Sequence, residues 1–154
     1  DLAFANDPIK KREFLKYLTM DKSSHKDFYR TNDQRSKLRL TENQQEILTD
    51  YMYKDHLDKL IKHHPYLKNI SSFPVDMQVF LVDTSFNMGP RWMKDKFKKF
   101  EKHLKSWVTR GKKPKEVEGM IREFKDSDHY RRWGHIERSK NSLARLEGLI
   151  PEGA

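Results

Sequence analysis

The stretch from Val75 to Phe86, VDMQVFLVDTSF, constrains this chain more than any other. Val79, Phe80, Leu81, Val82 and Phe86 spread apolar surface almost all round a helix, with only Asp76, Gln78 and Asp83 interrupting it. A helix with no polar side must be covered from every direction, so this run predicts a buried central helix. A strand accommodates QVFLV alone, but not the whole run. Asn87-Met88-Gly89-Pro90 then supplies the residues that end helices. With 154 residues the chain is long enough to build one core around such a helix, with little room for a second domain.

The flanking segments read as its covering. Thr41-Glu42-Asn43-Gln44 has a cap residue followed three positions later by Gln, the pattern of a capping box. Ile47, Leu48, Tyr51, Met52, Leu57, Leu60 and Ile61 extend from it as one apolar stripe that stops before Pro65, with Ser71 or Ser72 as a candidate cap in the connection that follows. Residues 91–109 predict one helix, with Trp92, Met93, Phe97, Phe100, Leu104, Trp107 and Val108 on one side and lysines on the other. A turn at 110–114 leads into a shorter helix carrying Val117, Met120, Ile121 and Phe124. Ser127-Asp128 caps a brief helical turn through Tyr130 and Trp133, Gly134 breaks it, and Ile136, Leu143, Leu146 and Leu149 mark the last helix. Pro8–Leu18 predicts a first helix, whereas the polar residues 19–40 read as loop or irregular hairpin. No internal repeat or heptad series is present.

Composition removes several classes of function. Without cysteine there is no disulfide framework, no thiolate-held metal and no thiol nucleophile. Apolar runs of only a few residues exclude a membrane-spanning segment, and no complete secretion signal is present. The start at Asp1 rather than Met reads as a processed or excised product, with an upstream segment expected. The surplus of 32 Lys or Arg over 23 Asp or Glu gives a net charge of +9, which draws the chain to nucleic acid, an anionic membrane face or an anionic wall polymer.

No cofactor or metal is expected. His56, His63 and His64 lie close along one helix, but no HExxH pattern accompanies them, and they read as ordinary surface histidines. His25, His103, His129 and His135 are too dispersed to assemble from sequence. There is neither a glycine-rich phosphate loop nor a GxSxG turn. Nucleic acid is a partner class compatible with the charge but not favoured. The lysines at 94–105 alternate with core aromatics as on any solvated helix face, and no nucleic-acid-binding motif is present.

A more specific pattern is the order of three pieces. Val82-Asp83-Thr84-Ser85-Phe86-Asn87-Met88-Gly89 closes an apolar helix, a long aromatic helix follows, and Ser127-Asp128-His129-Tyr130 precedes an Arg-bearing helix. This resembles the phage-type lysozymes, a muramidase family, over about residues 41–148. Phe86, Asn87 and Gly89 match the family's Phe-Asn-x-Gly element, Ser127, Tyr130 and Arg138 its later helix, and TENQQEIL at 41–48 the start of its linking helix. The resemblance implies a mainly α, α+β lysozyme-like fold in a single domain over 1–154. It has a small irregular N-terminal lobe over 1–40, a linking helix over 41–64 and a helical large lobe over 65–154.

It also implies a glycoside hydrolase that cleaves the N-acetylmuramic acid–N-acetylglucosamine bond of peptidoglycan, with inversion. Such chemistry needs one neutral carboxylic acid to protonate the leaving oxygen and a second carboxylate to direct water. On the family pattern Glu13 is the acid, Asp21 holds the water and Thr31, from Tyr29-Arg30-Thr31, positions it. Asn87, Tyr130 and Arg138 support substrate or cleft. The N-terminal match departs from the family where Phe14 stands for a Gly and Asn32–Ser36 for a glycine-containing strand. Glu13 equally serves as a charge on an exposed helical face, and packing is the competing role for Tyr130 and Arg138. Trp92, Trp107 and Trp133 read as core or half-buried rings. The resemblance implies bacterial peptidoglycan as partner and action at the periplasm or cell wall, as a free endolysin or a virion-mounted phage structural protein. The alternatives are a non-cleaving lysozyme-derived structural or wall-binding module and, third, a basic helical nucleic-acid binder.

Overall fold

The capping box closes as its residue types demand. In the computed structural model, which describes residues 2–5, 7–19 and 39–153, Thr41 Oγ1 accepts the Gln44 N–H at 3.1 Å and Gln44 Oε1 accepts the Thr41 N–H at 3.0 Å. Two otherwise unsatisfied amides are thereby paired at the start of a 22-residue helix. The described residues form eight α-helices: α1 Pro8–Thr19, α2 Glu42–His63, α3 Val75–Met88, α4 Trp92–Lys96, α5 Lys98–Thr109, α6 Pro114–Lys125, α7 Asp128–Trp133 and α8 Glu137–Glu147. Short 3-10 turns occupy Leu2–Phe4, Pro65–Leu67 and Ile70–Ser72. Among the described residues there is no strand, so the fold is mainly helical. The hairpin or loop expected over 19–40 lies, but for its ends, outside the described residues.

Two compact units divide at 53/54, within α2. In the first, Lys10 Nζ donates to the buried Gln44 Oε1 at 3.2 Å, and the Phe4 and Phe14 rings meet at 5.6 Å.

The second unit is built round α3. Met77, Phe80, Leu81 and Val82 are buried, and Phe80 touches the rings of Trp92, Phe100 and Phe124 with centroids 5.6 to 6.2 Å apart. The two polar groups buried at its C-terminal end are satisfied, as low dielectric requires. Thr84 Oγ1 donates to the Phe80 carbonyl at 2.7 Å, and Trp92 Nε1–H donates to Ser85 Oγ at 3.1 Å. Val75 and Phe86, at the ends of the run, are exposed. Gly89 closes α3 with φ +84°, a backbone conformation that glycine adopts without steric cost.

Four expectations are corrected. Residues 91–109 are not one helix, because Phe97 leaves helical geometry (φ −126°, ψ 46°) and sends its ring into the core against Trp92 and Phe100. The stripe on α2 is buried only near its C-terminal end. Leu57, Leu60 and Ile61 join the core of the second unit, whereas Tyr51 and Met52 are exposed. Neither Ser71 nor Ser72 caps α3, since both belong to a 3-10 turn and Pro74 stands at the cap. His64 is not a surface histidine but fully buried.

Helices α5 and α6 form the most intimate pair. They approach so closely that a Cβ on Gly119 would lie 2.5 Å from the His103 ring. The turn between them is a Schellman motif: the Lys112 N–H reaches back to the Trp107 carbonyl at 2.9 Å, with Gly111 at φ +92°. Helix α8 lies against α3 and α6, held at its rim where Arg145 Nη1 meets Asp76 Oδ1 at 3.0 Å.

Candidate functional site

The end of α3 and the start of α8 are separated by about fifty residues, yet they face one hollow. Gly89 stops α3 just after Asn87, leaving that side chain exposed at the helix end. Ser127 starts α7: its Oγ accepts the Tyr130 N–H at 3.1 Å and donates to the Phe124 carbonyl at 2.6 Å. That cap sets the direction of α7, and so places His129 and Trp133. Together Thr84, Asn87, His129, Trp133, Arg138 and Ser142 help to line a cleft of about 280 Å³.

Its chemistry is amphiphilic. Trp133 is 46% exposed and offers an indole face. Asn87 supplies an amide that can both donate and accept. The Arg138 guanidinium lies 5.9 Å from the Phe86 ring centroid, and that ring in turn meets His56 edge-on at 4.9 Å. Burial, with Lys96 nearby, holds the His129 pKa below the usual histidine value, so its ring is neutral at physiological pH. A neighbouring hollow of about 670 Å³ shares Asn87, Met88, His129 and Trp133 and adds Lys96, Asp128 and Arg132. Among the described residues, no Asp or Glu lines the smaller cleft. By itself it can bind through hydrogen bonds, a cation and an aromatic platform.

The residues expected from sequence divide accordingly. Asn87 and Arg138 meet in the cleft. Tyr130 does not line it; its ring packs on Phe124 at 5.5 Å, the packing role. Trp92 and Trp107 are buried, as expected for core rings. Glu13 lies on α1, but its side chain, together with Asp21 and Thr31, lies outside the described residues. Sequence reasoning does not place Trp133, His129 or Ser142 in this cleft. The only local signal was the Trp133-Gly134 pair, a large ring at a helix end where no apolar stripe claims it.

A second polar cluster lies inside the helical unit. His64, fully buried, places Nδ1 3.0 Å from Glu101 Oε1 and Nε2 3.2 Å from the Pro90 carbonyl. Tyr66 donates to Glu101 at 3.3 Å, and Lys105 Nζ lies 3.6 Å from the same carboxylate. Burial, reinforced by Glu101, pushes the Tyr66 hydroxyl well above its usual range. These groups contact one another and hold the turn after α2 against α5. Among the described residues, no group of three or more His, Asp or Glu is placed to hold a metal ion, and no helix is long and apolar enough to cross a membrane.

No known family, no curated protein and no solved structure matches the chain.

Proposed function

We propose that this chain acts on bacterial peptidoglycan as a lysozyme-like muramidase. The unit over 54–154 holds the glycan in the cleft of Asn87, Trp133 and Arg138. Glu13 is the general acid that protonates the leaving oxygen, while Asp21 and Thr31 hold the attacking water. One observation carries the reading: Asn87 and Arg138, singled out separately on the family pattern and distant in sequence, line one cleft beside an exposed Trp. That lining suits a sugar, whose apolar ring faces stack on aromatics while its hydroxyls seek amide and guanidinium groups. The net charge of +9 adds attraction to an anionic wall.

A second reading is attachment to the wall without cleavage, as a structural module of a phage particle. Phe14, which stands where the family has Gly, packs against Phe4, and this favours the second reading.

Incubation with purified peptidoglycan, followed by mass spectrometry of released fragments, decides between the two. New reducing-end muramic acid from wild type, absent with Glu13→Gln and Asp21→Asn, is the result expected of a muramidase. Retained sedimentation with peptidoglycan but no cleavage is the result expected of an attachment module. Neither binding nor cleavage by folded protein rejects both.

A further inference from the structure

The positive charge of this protein is concentrated in one stretch of its sequence, of which Lys96, Lys98 and Lys99 share a hollow with Asp95, Glu123, Asp126 and Asp128. Residues 94–115 contain ten Lys or Arg and two acids, a net of +8, while the whole chain carries +9. All ten of these basic side chains are exposed. Of the two acids, Asp95 pairs with Arg91 at 3.5 Å, while Glu101, buried beside His64, offsets one of the ten through Lys105 Nζ at 3.6 Å. On α5 the buried side is formed by Phe100, Leu104 and Trp107. At about 100° per residue, Lys98, Lys99, Lys102 and Lys105 share an arc of roughly 120° on the opposite side. Arg110 and Lys113 continue the array through the turn that follows.

This arrangement works against the free protein. Lys98–Lys102, Lys99–Lys102 and Lys102–Lys105 are like-charge neighbours at helical spacing, and each such pair opposes the helix. Lys98 and Lys99 also stand in the first turn of α5, at the positive end of its dipole. No side chain caps that end. A bound polyanion removes both penalties.

We propose that this lysine face docks a phosphodiester-linked anionic polymer of the bacterial wall, a poly(glycerol phosphate) being the simplest example. The choice of partner rests on the peptidoglycan reading above, because the face belongs to the same unit as the cleft. Two observations favour a polymer that has phosphates but no bases. The aromatic rings of the segment, Phe97, Phe100 and Trp107, are all buried and offer no stacking platform. Nine of the ten cations are Lys, which meets phosphate as a point charge, rather than Arg, whose planar fork reads base edges.

The test compares wild type with a Lys98→Gln, Lys99→Gln, Lys102→Gln triple variant by titration with purified poly(glycerol phosphate) over a range of salt. Phosphate-free peptidoglycan and duplex DNA are titrated in parallel. Wild type is expected to bind the polymer and to melt at a higher temperature when bound. The variant is expected to lose at least tenfold in affinity, with the salt slope reduced by roughly 2 for three removed contacts. Its binding to phosphate-free peptidoglycan is expected to be unchanged. Equal polymer binding by the variant overturns the proposal, as does tighter wild-type binding to DNA at matched phosphate concentration and physiological salt. Polymer binding that depends on the three lysines, without any binding to phosphate-free peptidoglycan, supports the face and removes the glycan cleft instead.

Discussion

His64 and Glu101 meet inside the helical unit with Nδ1 and Oε1 3.0 Å apart, and neither side chain has significant access to water. Both ring nitrogens face acceptors, since Nε2 lies 3.2 Å from the Pro90 carbonyl. Those acceptors favour a protonated ring and burial opposes it; burial wins, and the His64 pKa lies below its ordinary value of 6.5. The pair matters for position as much as for energy. It ties the turn after α2 to α5 and to the Pro90 that follows the central helix.

Removing one partner leaves the other buried with too few contacts. His64→Leu is expected to cost about 3 kcal/mol in unfolding free energy. The double variant His64→Leu, Glu101→Leu is expected to cost less than the sum of the singles, because no orphaned polar group remains. Chemical denaturation of the four proteins checks this, and strict additivity would reject the coupling.

The lowered His64 pKa gives stability a definite pH dependence. Between its lowered folded value and the ordinary 6.5 of the unfolded chain, the unfolded state binds more protons. The contribution is therefore complete above about pH 6.5 and is lost as pH falls through the folded value. Melting temperatures from pH 8 to pH 5 should decline for wild type, and the decline should be shallower for His64→Gln.

Glu116 acts at lower pH. His103 Nδ1 lies 2.8 Å from its Oε2, and the Ser106 hydroxyl donates to Oε1 at 3.0 Å. The His103 and Ser106 hydrogen bonds hold its pKa below the ordinary 4.5. Its contribution is present above about pH 4.5 and disappears as pH falls through the depressed folded value. Glu116→Gln should therefore reduce the melting temperature at pH 6 more than at pH 3.

Two glycines fail for different reasons when given a side chain. Gly119→Ala would put a methyl 2.5 Å from the His103 ring, which is itself held by Glu116. A loss of about 2 kcal/mol is expected from this overpacking, relieved in a Gly119→Ala, His103→Ala double variant. At Gly111 there is open space, and only φ +92° resists a side chain. Gly111→Ala is expected to cost about 1 kcal/mol, with no rescue by changing a neighbouring side chain. Thermal melts of the three variants separate the two causes.

Trp133 separates binding from folding. Its ring is 46% exposed, and it does not belong to the buried core. If it is the platform for glycan, Trp133→Ala should weaken muropeptide binding by tenfold or more, the loss expected of an aromatic anchor. The melting temperature should move little. Binding that survives the substitution would place the glycan elsewhere.

What was legible in the sequence is what neighbouring residues decide among themselves. The Thr41–Gln44 box, the Ser127 cap, the stop at Gly89-Pro90 and the Gly111 turn each involve groups within five residues of one another. Their hydrogen bonds form or fail locally, so residue type and spacing are enough. The buried position of α3 was legible for a related reason: a run with no polar side has nowhere else to go. The departures all concern where a helix meets the rest of the chain. Phe97 interrupts the helix expected over 91–109, with its ring against Trp92 and Phe124, neighbours that only the packed helices bring there. His64 reads as a surface residue until Glu101, thirty-seven positions away, arrives beside it. Asn87 and Arg138 could be singled out from sequence, but their common cleft, and the opening of Trp133 onto it, exist only once α3, α7 and α8 have packed. Local hydrogen bonds and hydrophobic period are properties of the chain, whereas burial and convergence are properties of the packed helices.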